Sequence, residues 1–250
     1  MKDFLKNNFF NIIVVILLIT TLCIISFNIK LTSISFHSAQ DEKIANEKYE
    51  LVIQSYNEYL KINPYDSMAY FMRGKAYYYS NDYKSALNDF IKYKKIGKDL
   101  VSVYRYIGNC YSHIGEAEKA IETFTKGLEK YPKSAMLLNN RSYEKCISGY
   151  DLQDALKDVN EALAIETSAH AYHTRAEIQR NLGFYQYAIS DAEKSLEEAP
   201  WMYYNHCEKG YSHMKLGQRA EGIHHLKLCK QASEENDDFK NKALYEEYLK

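Results

Sequence analysis

Residues 101–132 read VSVYRYIGNCYSHIGEAEKAIETFTKGLEKYP, and the fold follows from how often this stretch returns. Tyr104 and Gly108 stand four apart, Gly115 follows, Ala120 and Phe124 are again four apart, and Pro132 closes the segment. In steps of 34, Gly115 returns as Gly149, Gly183 and Gly217; one step earlier stands Asn81, the other residue that accepts a positive φ where a helix ends. The three prolines, Pro64, Pro132 and Pro200, hold one phase at twice that interval. Tyr104 is matched by Tyr70, Leu138, Tyr172 and His206, and Gly108 by Gly74, Ser142, Ala176 and Gly210. Ala120 is matched by Ala86, Ala155, Ala188 and Gly222, and Phe124 by Phe90, Val159, Ala192 and Leu226. Residues four apart share a helix face, so each period holds two helices packed large against small, with a turn between them.

At this point the pattern resembles the tetratricopeptide repeat, whose 34-residue unit carries an aromatic, a small residue, a Tyr, an Ala, a Phe and a Pro in this order. The resemblance implies an all-α, right-handed superhelical solenoid of helix-turn-helix repeats, about five units plus flanking helices. Repeats are expected at 67–100, 101–134, 135–168, 169–202 and 203–236, after a partial repeat or N-terminal capping helix at 45–66. Two departures carry expectations. One extra residue between Gly149 and Ala155 predicts a distorted turn, and Gly222 in place of alanine predicts a looser last repeat. A C-terminal capping helix is expected at 237–250, with Phe239, Ala243, Leu244, Tyr248 and Leu249 inward and Lys240, Lys242, Glu246 and Glu247 outward.

The chain has 250 residues and a formal net charge of -1, from 32 Lys+Arg against 33 Asp+Glu. That balance gives no electrostatic footprint for nucleic acid. One stretch departs from it. FFNIIVVILLITTLCIISF, residues 9–27, carries no charge. As a helix it reaches about 28 Å, close to the ~30 Å hydrocarbon core of a bilayer. A single-pass membrane anchor is expected at 9–29, after a tail of residues 1–8 and before a linker of residues 30–44. A cleaved signal peptide is the competing reading, but the run exits through Ser26-Phe27-Asn28 rather than an A-x-A-like site. The short tail bearing Lys2 and Lys6 argues for the repeat domain outside the cytoplasm, although Lys30, Lys43 and Lys48 on the other side nearly balance it.

No phosphate-cradling glycine loop, H-E-x-x-H or C-x-x-C is present, so no enzyme activity and no cofactor are expected. His170 and His173 share a helix face, but no Cys or carboxylate at recognisable spacing completes a metal site. Cys110, Cys146, Cys207 and Cys229 read as small packing residues, with Cys110 and Cys146 on equivalent helices as the pair placed for a disulfide.

The resemblance implies a function as well. In such arrays the first helix of each pair lines a concave groove, which by phase offers Lys75, Tyr78, Arg105, Tyr106, Asn109, Asn140, Tyr143, His173, Arg180 and Tyr211 to a protein or peptide partner. Phe71, Met72, Tyr79, His113, Asn139, Thr174, Glu177, Tyr204, Glu208 and Lys215 fall on the same face. Some members clamp a partner's terminal carboxylate; by phase that set becomes Arg105, Asn109, Asn140, His170 and Thr174, with Arg175 turned away. The reading is a membrane-anchored scaffold for protein–protein contacts in the groove. The alternative is an accessory factor of an assembly or secretion complex that works through its convex face.

Overall fold

The computed structural model describes residues 39–236 and 240–249. The anchor expected at 9–29 lies outside them, and among the described residues no helix is long and apolar enough to cross a membrane. Regular structure is α-helical throughout these residues, and the chain divides between Ile96 and Gly97 into two compact units. The first holds α1 (Ala39–Ile62), α2 (Ser67–Tyr79) and α3 (Tyr83–Ile96). The second holds α4 (Val101–His113) and α5 (Ala117–Lys130), α6 (Ala135–Ile147) and α7 (Leu152–Ile165), α8 (Ala169–Asn181) and α9 (Tyr185–Glu198), α10 (Tyr204–Lys215) and α11 (Arg219–Glu235), then the short α12 (Lys242–Glu246). These are helical hairpins of the expected repeat kind.

Each hairpin turns on one residue with left-handed backbone: Asn81 at φ 64°, then Gly115, Gly149, Gly183 and Gly217 between 76° and 82°. The following N–H returns to the carbonyl five residues back, as from Glu116 to Tyr111 at 2.9 Å and from Phe184 to Gln179 at 2.8 Å, which satisfies a helix-end acceptor. The third hairpin keeps this turn, with Tyr150 bonded to Lys145 at 3.1 Å. Its extra residue is absorbed at the start of the next helix, which begins three residues after the glycine rather than two. There Asp151 caps it by accepting from the N–H groups of Gln153 and Asp154. The turn expected to be distorted is therefore regular.

Large-against-small packing is realised directly. A Cβ on Gly108 would lie 2.3 Å from the Phe124 ring, and one on Gly210 would lie 2.7 Å from Leu226. Gly222 corrects the sequence reading: a Cβ there would come within 2.5 Å of Met214 Sδ and 3.1 Å of its backbone nitrogen, so the glycine permits close approach rather than slack. In this last hairpin, positions equidistant from Gln218 face one another. Met214 and Gly222 are four away, Gly210 and Leu226 eight, and Cys207 and Cys229 eleven, and the two cysteines are joined in a disulfide. That pairing, and not one between Cys110 and Cys146, is the disulfide, which corrects the reading of all four cysteines as packing residues. Cys110 and Cys146 are free and buried, and burial pushes both thiols up to about 12.

A polar row runs beside the apolar ones. Arg73, Arg141 and Arg175 each fork the aspartate on the second helix of their own hairpin through Nε and Nη2, at 2.6–2.8 Å to Asp89, Asp158 and Asp191. The remaining Nη1 donates back to the preceding helix, at Asn57, Thr125 and Asn160. Lys209 occupies the same phase and reaches back to Glu193 at 2.9 Å. Each of the three forks ties its own first helix to the helices packed on either side of it.

The C-terminal segment also differs from expectation. Tyr245, not Ala243, is its buried side chain, seated beside Cys207, Leu226 and Cys229, while Ala243 is exposed. Lys240 does not face away: its ammonium donates to Tyr143 Oη and lies 4.7 Å from the centre of that ring.

Candidate functional site

The first helices of the second unit's hairpins lie side by side, and a cavity of about 350 Å³ opens along them. Helix α4 contributes Asn109, Ser112 and His113, and Phe124 of α5 supplies an apolar wall. Helix α6 contributes Asn139, Asn140, Tyr143 and Glu144; α8 contributes His170, His173, Thr174 and Glu177; and α10 adds Tyr204. Lys240 and Asn241 approach from the C-terminal segment.

Amides join the first two walls: Asn140 Nδ2 donates to Asn109 Oδ1 at 3.0 Å, while Asn139 Oδ1 is buried without a hydrogen-bond partner among the described residues. Glu144 is 4% exposed, and burial pushes its carboxyl above the usual range, partly offset by a hydrogen bond from Ser112. His173 is fixed from behind. Asn205 Nδ2 donates to Ser195 Oγ and Met202 O, which turns Asn205 Oδ1 to His173 Nδ1 at 2.9 Å. His173 Nδ1 therefore carries the proton and donates, leaving the Nε2 lone pair 3.8 Å from the Glu177 carboxylate. Burial holds this imidazole down to about 4, so it is neutral near pH 7.

The cavity thus brings together Asn109, Asn140, Tyr143 and His173, with His113, His170, Asn139, Thr174, Glu177 and Tyr204 from the same phase. The other expected groove residues lie elsewhere. Lys75 and Tyr78 belong to the first unit, where Tyr78 packs edge-on to Tyr79 and Tyr83. Tyr106 is buried under the Arg105 guanidinium, 4.1 Å from ring centre to Cζ, and Arg105 Nε has no partner among the described residues. Arg180 is engaged by Glu208 at 2.5 Å, and Tyr211 is flanked by Tyr248 and Lys215.

These positions dismantle the carboxylate clamp. Thr174 Oγ1 donates to the His170 carbonyl on its own helix, Arg105 does not line the cavity, and Arg175 is committed to Asp191. Apart from its histidines, the acidic and basic side chains lining the cavity are instead Glu144, Glu177 and Lys240.

Glu144, Lys240 and Asn241 escaped the sequence reading. Glu144 shares a phase with Ala76, Cys110, Ile178 and Ser212, all buried, so the signal was one charge in a packing row. No period reaches Lys240 or Asn241, which follow the last repeat. In the last hairpin histidines pack on one another: His206 and His225 stack at 5.2 Å, and His213 and His225 at 5.8 Å. Among the described residues no three His, Cys, Asp or Glu side chains are grouped to hold a metal.

No family model matches the chain. Human tetratricopeptide repeat protein 6 is 28% identical over 180 residues, 70% of this chain and 34% of that protein. Small glutamine-rich tetratricopeptide repeat-containing protein 2 of Saccharomyces cerevisiae is 25% identical over 143 residues, 57% of this chain and 39% of that protein. The chain thus spans little more than a third of the length of these two relatives. Among solved structures, the APC/C hetero-tetramer Cut9-Hcn1 aligns with a TM-score of 0.70 at 15% identity, covering 82% of this chain and 40% of that one. YrrB, described as a TPR protein with an unusual peptide-binding site, aligns at 0.52 and 16% identity, covering 74% and 94%. The fold is that of the tetratricopeptide repeat.

Proposed function

We propose that this protein is a membrane-anchored scaffold that captures a segment of a partner protein in the cavity along α4, α6 and α8, with its repeats outside the cytoplasm. The observation that carries the reading is the wall of amides, in which Asn140 is bonded to Asn109 while Asn139 Oδ1 has no hydrogen-bond partner among the described residues. Amides of this kind pair with an extended backbone, and Tyr143 and Tyr204 add rigid apolar area. A peptide-binding site described for YrrB, a protein of the same fold, supports such a use of the repeat array. The uncharged run at 9–27 supports the anchor, and the Cys207–Cys229 disulfide supports an oxidising compartment for the repeats.

The test is co-purification of native partners with the full chain and with an Asn140→Ala, Tyr143→Ala variant. Loss of the partner at unchanged helicity and melting is expected, because truncating an anchor near an interface centre costs ~2 kcal/mol or more. Equal recovery from the variant would reject the cavity as the working surface. Loss from changes at Tyr187 and Trp201 instead, both about two-thirds exposed, would favour the convex-face alternative.

A further inference from the structure

The cavity already holds a cation. Lys240 lies on the Tyr143 ring and donates to its hydroxyl, 97 residues away in sequence, with Asn241 beside it. The backbone that delivers them is fastened a few residues later, where Tyr245 is buried against the Cys207–Cys229 hairpin. The walls suit that charge. Glu144 and Glu177 supply carboxylates, Glu177 also lying 3.7 Å from Arg180 Nη2, and apart from Lys240 no lysine or arginine lines the cavity itself. The one fixed tautomer, at His173, leaves an Nε2 lone pair as an acceptor. Burial raises the Glu144 carboxyl, offset by the Ser112 hydrogen bond, so a cation entering beside it would favour its charged form. An aromatic face, two carboxylates and an imidazole acceptor form a receptor for an ammonium group.

We propose that the cavity is a lysine-accepting site, with Lys240 as its resident occupant, and that the partner presents a lysine side chain which displaces Lys240. The inference rests on the groove reading above and adds the chemistry of the partner. Lys240 remains exposed overall, so the resident is held at the mouth and yields to a competing segment. The partner's affinity is lowered by whatever fraction of the chains the resident occupies.

The experiment uses the full-length protein in detergent and a synthetic peptide with the sequence of residues 237–243, alongside versions carrying norleucine or glutamate in place of its first lysine. The Lys240→Ala protein should bind the parent peptide at least tenfold more tightly than wild type. Norleucine should lose at least tenfold, and so should Glu144→Gln with Glu177→Gln introduced into the Lys240→Ala protein. Glutamate should not bind. Equal binding by Lys240→Ala and wild type, no discrimination between lysine and norleucine, or tighter binding of the glutamate peptide would each overturn the proposal. Circular dichroism melts of every variant separate lost binding from lost folding. If these outcomes fail while Asn140→Ala, Tyr143→Ala still releases the native partner, the groove stands and only its lysine preference falls.

Discussion

Arg175 illustrates how single residues hold the array together. Its guanidinium forks Asp191 and reaches back to Asn160, and the Asp191 side chain is only 4% exposed. Replacing Arg175 by leucine leaves the buried carboxylate with only the half-exposed Lys194, 3.9 Å away, as counter-charge, which costs about 3 kcal/mol. Leucine at both Arg175 and Asp191 removes the orphaned charge and should recover most of that loss. Urea unfolding of the single and double variants measures both, and a single variant within 0.5 kcal/mol of wild type, roughly the range of inert surface substitutions, would show that the fork contributes little. The arginines were visible in the sequence at positions 73, 141 and 175, in one phase, and their aspartates 16 or 17 residues on. Aligning apolar rows alone passes over them, because a fork needs two positions on different helices. Glu193, on α9, is similarly engaged by Lys209.

At the scale of the element, the last hairpin is sensitive to acid. His206 on α10 and His225 on α11 stack, and burial lowers both imidazoles, His225 to about 3 with further repulsion from Lys209 and the neighbouring histidines. In the unfolded chain a histidine titrates near 6.5. Between that value and the folded one the unfolded state binds more protons, so this contribution to stability is complete above about pH 6.5 and is lost as pH falls. Wild type and a His206→Phe, His225→Phe variant should therefore differ in stability by an amount that changes steadily from pH 7 to pH 4. Denaturation midpoints across that range read it directly, and a pH-independent difference would remove the histidines as the cause. The hairpin itself was legible: Gly217 needs a left-handed turn, and only a few residue types supply one. Its disulfide was hidden, because the repeat period relates equivalent helices of adjacent repeats and not the two helices of one hairpin. The facing positions are those equidistant from the turn, and Cys207 and Cys229 satisfy that rule.

For the molecule as a whole, the disulfide becomes a report on compartment. The chain has five cysteines, and in intact cells Cys207 and Cys229 should be protected as a pair if the repeats lie in an oxidising space. Denaturing lysis into a polymer-tagged maleimide should add three tags without reductant and five with it. Five tags in both samples would contradict the proposed topology. Legibility follows the period at this scale too. The first-helix positions of the cavity were readable because their phase is repeated, as with Asn109, Tyr143 and His173. Part of its wall comes from residues after the last repeat, where no period operates, so Lys240 and Asn241 needed three dimensions. The regular turn at Gly149, with its surplus residue taken up by the Asp151 cap, carries a further consequence. Chain length can vary at that joint while the stacking faces on either side keep their register. It is a natural point of entry for insertions during the divergence of such arrays, and the place to splice an epitope or fluorescent label into this one.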